Sequence, residues 1–202
     1  VGLSFSTEKN SGWYVPIKYF KKEKENFGDD DLTIVLNALR PVLENDSIKK
    51  TGQNIKFDAL VMRHHDIILD GISFDTMIAA HLLNPSARSY KLDTLSLEYL
   101  NYDMVPIEDL IGKGREQITM ADVPLDQASF YAIEDADITL QLTQIFKAKL
   151  KEQQLYSFFN SIEIPMIPVL TAMEHTGVFV DNEFLSVMSL EIGKKIDSLV
   201  IR

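Results

Sequence analysis

Two short segments of the chain place an aspartate four residues after a polar residue. Asn54 precedes Asp58, and Tyr131 precedes Asp135, with this same spacing. On a helix, residues i and i+4 lie one above the other on one face. Two such aspartates from different helices can converge on one divalent cation, because carboxylate oxygens are the ligands that Mg²⁺ and Mn²⁺ prefer. The spacing therefore predicts chemistry that depends on a divalent metal.

The composition is that of a globular protein with a core and without thiol chemistry. The chain has 202 residues, of which 46% are hydrophobic, and this fits one domain or one domain with an appendage. It contains no cysteine, which excludes disulfides, thiolate zinc sites and thiol nucleophiles and predicts a cytoplasmic location. No run of about 18 apolar residues occurs, so we expect no membrane span.

The chain is acidic, with a formal net charge of -10 at pH 7. This charge argues against general affinity for nucleic acid, because phosphate groups are neutralised by lysine and arginine. It does not exclude a nuclease, since a metal site concentrates acids and bound cations offset them locally. We therefore expect this chain by itself to bind DNA weakly.

The hydrophobic pattern predicts an α/β protein in which strands come first and then alternate with helices. A hairpin-like pair of strands at 1–6 and 12–17 is followed by a charged loop at 18–31. Asp30 or Asp31 is expected to cap the next helix. Further strands are predicted at 48–51 and 178–180. Further helices are predicted at 55–65, 75–83, 92–100, 107–111, 124–150, 155–175 and 182–202, the last capped by Asn182.

Several blocks of sequence, in this order, resemble the 3′–5′ exonuclease domain of the bacterial family A DNA polymerases, the DNA polymerase I family. These blocks are residues 52–58, 71–77, 92–95, 108–114 and 131–137. After them, residues 162–170 and 173–178 resemble the start of the polymerase region in the same family. The resemblance implies an exonuclease domain at 1–155 and the beginning of a DNA polymerase domain at 156–202.

The same resemblance implies an RNase H-like fold, a mixed sheet flanked by helices, with a helical C-terminal extension. It implies an enzyme that uses Mg²⁺ or Mn²⁺ at a two-metal site to remove the 3′-terminal nucleotide from single-stranded or frayed DNA. On this resemblance Asp58 and Asp135 are catalytic residues and metal ligands. Tyr131 orients the attacking water, and Asn54 opens the second motif and contacts nucleic acid.

The first motif of this family is an Asp-x-Glu pair on the first strand, which should lie shortly before Val1. No such pair occurs near the N-terminus, where Glu8 is the only nearby acid and falls in a predicted turn. We expect the first strand to be missing through truncation, which leaves the metal site short of two ligands. This chain by itself is then expected to be inactive or nearly so, while its parent is a proofreading polymerase.

Three basic residues are candidates for contact with DNA phosphates. Lys113 and Arg115 lie in a glycine-rich loop, and Arg88 lies shortly before the predicted helix at 92–100. An exposed, solvated position is nearly as good an interpretation of all three. Among the other acids, Asp75 is expected to make a structural hydrogen bond, and Asp137 is expected on a helix surface or packing face.

Two other functions fit the same residues. A non-catalytic scaffold or DNA-docking module would keep the fold without the activity, and the retention of Asp58, Tyr131 and Asp135 weighs against it. A stand-alone exonuclease similar to RNase D would lack the polymerase-like segment at 162–178. The expected partners are the 3′ end of DNA and the remainder of the polymerase chain, and no membrane is expected.

Overall fold

A computed structural model of the chain describes residues 2–17 and 29–200, without the side chains of residues 29–31 and 115. The loop expected at 18–31 is wrong in its last three residues, because a helix already begins at Asp29. Residues 18–28, and capping by the side chain of Asp30 or Asp31, lie outside the described part of the chain. The strands are β1 Gly2–Phe5, β2 Trp13–Pro16, β3 Lys50–Gly52 and β4 Ile72–Asp75. The helices are α1 Asp29–Leu43, α2 Ile55–Arg63, α3 Thr76–Leu83, α4 Leu92–Leu100, α5 Ile107–Ile111, α6 Leu125–Glu152, α7 Tyr156–Phe158, α8 Ile164–Thr176 and α9 Asn182–Val200. A 3-10 turn at Gly114–Glu116 follows α5, and a π-helical turn at Phe159–Glu163 joins α7 to α8.

The described strands form two separate pairs. β1 and β2 make the antiparallel hairpin that the alternating pattern predicts. β3 and β4 are parallel, with Gly52 opposite Asp75, and α2 supplies the crossover that parallel strands need. The hydroxyl groups of Thr51 and Thr143 lie 2.8 Å apart and fasten β3 to α6. The long helix therefore holds the strand that leads directly into α2.

The chain enters β4 through a turn at Gly71, whose φ of 69° lies in the left-handed region. A Cβ atom at this position would stand 2.5 Å from the carbonyl oxygen of Ile48 and 2.9 Å from that of Asp46. Other residues are strained at this φ and have no room here, so the turn requires glycine. The close approach fixes the loop before β3 against the start of β4.

Helix α6 carries the centre of the core. Leu142, Phe146 and Leu150 are fully buried at a four-residue spacing, which places them on one face of the helix. The cluster around them, here called the main core, consists of Ile55, Phe74, Ala79, Ala80, Leu95, Met104, Ile138, Leu142, Phe146, Leu150, Phe159, Ile164 and Ile167. A smaller cluster packs α1 against α2 and consists of Leu36, Leu43, Met62 and Ile67.

Two expectations near the C-terminus are wrong. Residues 178–180 form no strand, because no other described strand pairs with them, and Phe179 is 94% exposed. Asn182 is the first residue of α9 and not its cap. The cap is Asp181, whose Oδ1 accepts a hydrogen bond from the backbone N–H of Phe184 at 2.9 Å. Among the described helices, none combines the length and the apolar character needed to cross a membrane.

Candidate active site

Tyr131 and Asp135 lie one turn apart on α6, on a stretch of the helix that is half-buried. Burial raises the pKa of Asp135 to about 7, and the neighbouring carboxylates of Glu134 and Asp93 add to the effect. Burial also raises the pKa of Tyr131 to about 12, with further contributions from acids that include Asp135 and Asp93. The tyrosine is therefore protonated at neutral pH, and the aspartate stands in a place that is short of positive charge. We call this pair the α6 half-site.

Asp58 lies in the first turn of α2 and is exposed on one side. The protein around its carboxylate nevertheless removes enough water to raise its pKa to about 6, and the nearby Asp75 adds to the rise. Asn54 precedes the helix at φ 58° and ψ 45°, a left-handed conformation that asparagine tolerates better than most residues. Its side chain makes no hydrogen bond that caps the helix, and the residue is exposed. We call Asn54 and Asp58 the α2 half-site.

Asp75 has the structural role that the sequence predicts for it. It is the last residue of β4, it is 1% exposed, and it caps α3 by accepting hydrogen bonds from the backbone N–H groups of Met77 and Ile78 at 2.9 and 3.0 Å. Its other oxygen accepts a hydrogen bond from the N–H of Ile55 at 2.7 Å. One buried carboxylate thus fixes the starts of α2 and α3, and through α2 the position of Asp58.

Glu134 is a site residue that the sequence reasoning missed. It is only 7% exposed. Its buried carboxylate accepts hydrogen bonds from the hydroxyl of Tyr102 at 2.7 Å and from the backbone N–H of Val105 at 3.0 Å. These bonds fasten the connection between α4 and α5 to the helix that carries the α6 half-site. The only sequence signal was its place beside Asp135 within the block at 131–137.

Asp93 is a second missed residue. It lies in the first turn of α4 and accepts a hydrogen bond from its neighbour, the N–H of Thr94, at 2.5 Å. Its charge raises the pKa of both Tyr131 and Asp135. The block at 92–95 contributed to the resemblance, but no role for this aspartate followed from it. The structure adds an acid from α4 to the surroundings of the α6 half-site.

The two half-sites are positioned by different neighbours. α6 packs against α3 and α4, whereas α2 packs mainly against α8. The charge that acts on Asp58 is that of Asp75, while Asp135 is acted on by Glu134 and Asp93. Within residues 2–17 and 29–200, no three histidine or acidic side chains surround a common point where a metal ion could be held. The structure brings Tyr131 and Asp135 together but does not join them to Asp58 in a complete ligand set.

The basic candidates lie on the surface. Arg88 is exposed in the connection between α3 and α4, and Lys113 is exposed immediately before the 3-10 turn. The side chain of Arg115 is outside the described part of the structure. Asp137 proves to be a packing residue, since its Oδ1 accepts a hydrogen bond from the backbone N–H of Asn10 at 2.8 Å and so fixes the hairpin turn on α6.

Comparison with known proteins identifies the family of the chain. A family model described as 3′-5′ exonuclease matches residues 1–151. DNA polymerase I of Pseudomonas aeruginosa is 36% identical over 202 residues, which make up 98% of this chain and 22% of that protein. The chain spans about a fifth of the length of the curated relatives it matches.

Solved structures show the same fold. The POL domain of Pol1 from M. smegmatis, in complex with DNA primer-template and dNTP, superposes with a TM-score of 0.70 at 22% identity over 93% of this chain and 27% of that one. Brucella melitensis NrnC with bound Mg²⁺ gives a TM-score of 0.53 at 17% identity over 69% of this chain and 64% of that one. The fold is RNase H-like, as the resemblance implied. The chain belongs to the 3′–5′ exonuclease family, in the form that is found in DNA polymerase I.

Proposed function

We propose that this chain is part of the proofreading exonuclease of a DNA polymerase I, and that the complete exonuclease hydrolyses the 3′-terminal nucleotide of single-stranded or frayed DNA. The observation that carries the proposal is the α6 half-site. There a tyrosine that stays protonated lies one turn from an aspartate whose pKa is about 7, because that aspartate is half-buried among other acids. Sites with pKa values shifted in this way are candidates for catalysis.

The donors of both half-sites fit Mg²⁺ or Mn²⁺. Asp58 and Asp135 offer carboxylate oxygens, and the raised pKa of each shows that negative charge there lacks compensation. A divalent cation would supply that compensation, lower the pKa of a bound water and stabilise charge on the leaving 3′ oxygen. Asp58 and Asp135 are the residues that would hold it. The structure of NrnC with bound Mg²⁺ supports the choice of metal.

The chain's own side chains would position the substrate. The Tyr131 hydroxyl keeps its proton at neutral pH and so can hydrogen-bond the attacking water without ionising. The exposed amide of Asn54 stands beside Asp58, where it can contact the terminal nucleotide. Lys113, Arg115 and Arg88 would contact phosphates through their positive charges. Hydrolysis of this kind depends mainly on positioning and charge stabilisation.

The remaining ligands would be the Asp-x-Glu pair that the resemblance places before Val1. Because the described residues hold no three-ligand group, we expect this chain alone to be inactive or nearly so. We propose residues 1–155 as the exonuclease domain and 156–202 as the beginning of the polymerase domain. The proposed partners are a DNA 3′ end and the remainder of the polymerase chain, in the cytoplasm.

The test is digestion of a 5′-labelled single-stranded oligonucleotide in Mg²⁺ and in Mn²⁺. It compares this chain with the same chain extended upstream of Val1 by a strand that carries an Asp-x-Glu pair. Asp135→Asn and the matched control Asp137→Asn are made in the extended chain. We expect stepwise shortening from the 3′ end by the extended chain and by its Asp137→Asn variant only. Equal digestion by the Asp135→Asn variant would contradict the assignment.

The incomplete ligand set is also compatible with one other function. A scaffold that supports the polymerase without cutting needs no complete metal site, and the described residues provide none. If the extended chain cuts under no condition, the scaffold is the better account. If it cuts as expected, the scaffold is excluded.

A further inference from the structure

Helix α8 is the principal packing partner of α2, the helix that carries Asp58. The two helices share more contacts than any other pair of elements described. α8 lies beyond residue 151, where the match to the exonuclease family model ends. An element outside the matched domain thus supports one half of the candidate active site.

The support is first of all apolar. Ile164 and Ile167 of α8 belong to the main core together with Ile55, the first residue of α2. Ile167 is only 2% exposed, and Phe159 in the preceding π-helical turn is completely buried. Thr171 is also on the buried face of α8. Its hydroxyl donates a hydrogen bond to the backbone carbonyl of Ile167 at 2.8 Å. The apolar side chains therefore pack in the same core as the start of α2.

Two side-chain contacts join the two ends of α2 to the last turn of α8. Lys56, two residues before Asp58, forms an ion pair with Glu174. The rings of His64 and His175 meet edge to face at the other end of α2, with centroids 5.3 Å apart. Contacts at the two ends restrict rotation and sliding of α2 on α8, although a partly exposed ion pair adds little stability of its own.

The following helix behaves differently. α9 has no buried residue, and many of its apolar side chains are exposed, among them Phe184 and Leu190 at 62% and 69%. The core that holds the active-site helices therefore includes α8 and leaves out α9.

We propose that α8 is a positioning element of the exonuclease site: residues 156–176 complete its fold, and the contacts of α8 with α2 set where Asp58 stands. The proposal rests on the proposed function, in which Asp58 is a metal ligand. A helix beyond the matched exonuclease domain is then part of the support of the exonuclease site, so that displacement of α8 by the rest of a polymerase would shift Asp58.

The test uses variants of the full chain and two measurements. Ile167→Ala opens the buried face of α8, and Met166→Ala, at a 42% exposed position on the same helix, is its matched control. Glu174→Lys breaks the ion pair, and combining it with Lys56→Glu restores the pair with reversed charges. Hydrogen exchange is measured in α2 and, for reference, in α4. Broadening of the Asp58 amide signal by Mn²⁺ reports whether metal still reaches this half-site.

We expect Ile167→Ala to speed exchange in α2 about tenfold while exchange in α4 changes about twofold or less, because local opening follows local contacts. Glu174→Lys is expected to reduce Mn²⁺ broadening at Asp58 and the reversed pair to restore it, with Met166→Ala behaving as wild type. Equal acceleration in α2 and α4 would overturn the proposal, since α8 would then act only on global stability. If Mn²⁺ broadening at Asp58 is absent even in the chain extended by the Asp-x-Glu strand, the metal role of Asp58 fails, and the exchange comparison still decides the role of α8.

Discussion

The carboxylate of Asp75, at the end of β4, accepts a hydrogen bond from the backbone N–H of Ile55, the first residue of α2, at 2.7 Å. The same carboxylate caps α3. Burial raises the pKa of Asp75, and the backbone N–H groups around it partly offset that rise. The end of β4 and the starts of α2 and α3 therefore depend on one side chain. Asp58 lies in the first turn of α2.

Replacing Asp75 should therefore cost much stability. We expect Asp75→Ala to lower the free energy of unfolding by about 2–4 kcal/mol, because several N–H groups lose their acceptor in a buried place. Asp137→Ala is the matched comparison, since Asp137 is less buried and accepts two hydrogen bonds, from the N–H of Asn10 and the side-chain amide of Gln141, and we expect about 1 kcal/mol. Urea unfolding measures both. Equal losses for the two variants would contradict the central role of Asp75.

The bond between Tyr102 and Glu134 gives a second expectation. Tyr102→Phe removes one of the two donors to a buried carboxylate and should destabilise the fold by about 1–2 kcal/mol. Tyr156→Phe is the control, because the Tyr156 hydroxyl makes no hydrogen bond to the described residues, and we expect almost no change. Thermal unfolding of the two variants measures the difference. A Tyr102→Phe variant that is as stable as wild type would show that the connection between α4 and α5 does not depend on Glu134.

Alanine substitutions at Gly71 and Gly114 distinguish the cost of backbone strain from the cost of a steric clash. Both glycines have φ near 70°, but a Cβ atom would meet the carbonyl of Ile48 at 2.5 Å at Gly71 and nothing within 4 Å at Gly114. Alanine should cost about 1 kcal/mol at Gly114 and about 3 kcal/mol or more at Gly71. Denaturant titration of both variants measures the loss in the free energy of unfolding. Similar losses at the two positions would show that the turn before β4 relaxes to make room for a Cβ atom.

Asp135 should make stability depend on pH. Its pKa is about 7 in the folded protein and 3.8 in the unfolded reference, so the folded state holds the proton more tightly. Stability from this group is present below about pH 4 and is lost as the pH rises towards 7. Relative to wild type, Asp135→Asn should thus be more stable at pH 8 than at pH 4.5 by about 1–2 kcal/mol, a value reduced for partial exposure. Urea unfolding of both proteins at these two pH values measures the difference, and a difference of the opposite sign would contradict the raised pKa.

Much of the fold followed from local patterns in the sequence. α4 and α5 have the bounds that hydrophobic spacing predicts, and the four-residue spacing places Tyr131 and Asp135 one turn apart as expected. These features depend on neighbours within a few residues, which is the information that a single sequence displays most directly. A structural hydrogen bond at Asp75 was expected, but β4, the strand that this residue ends, was not predicted from the sequence, so its role as the cap of α3 came only from the structure.

The missed residues depend on distant contacts. Glu134 is buried because Tyr102 and Val105, 32 and 29 residues earlier, fold onto it. Asp93 reaches the α6 half-site only through the packing of α4 on α6. The strand expected at 178–180 failed for the same kind of reason. Three apolar residues there fit a strand pattern, but no described strand lies beside them to pair with. Local sequence carries no signal for any of these outcomes.

The most direct test of the account is to locate Mn²⁺ by anomalous diffraction in crystals of the chain extended upstream by the Asp-x-Glu strand. We expect a metal ion bound by carboxylate oxygens of both Asp58 and Asp135, and its loss in the Asp135→Asn variant. An ion held by one half-site alone, out of reach of the other aspartate, would contradict the claim that α2 and α6 build a shared metal site.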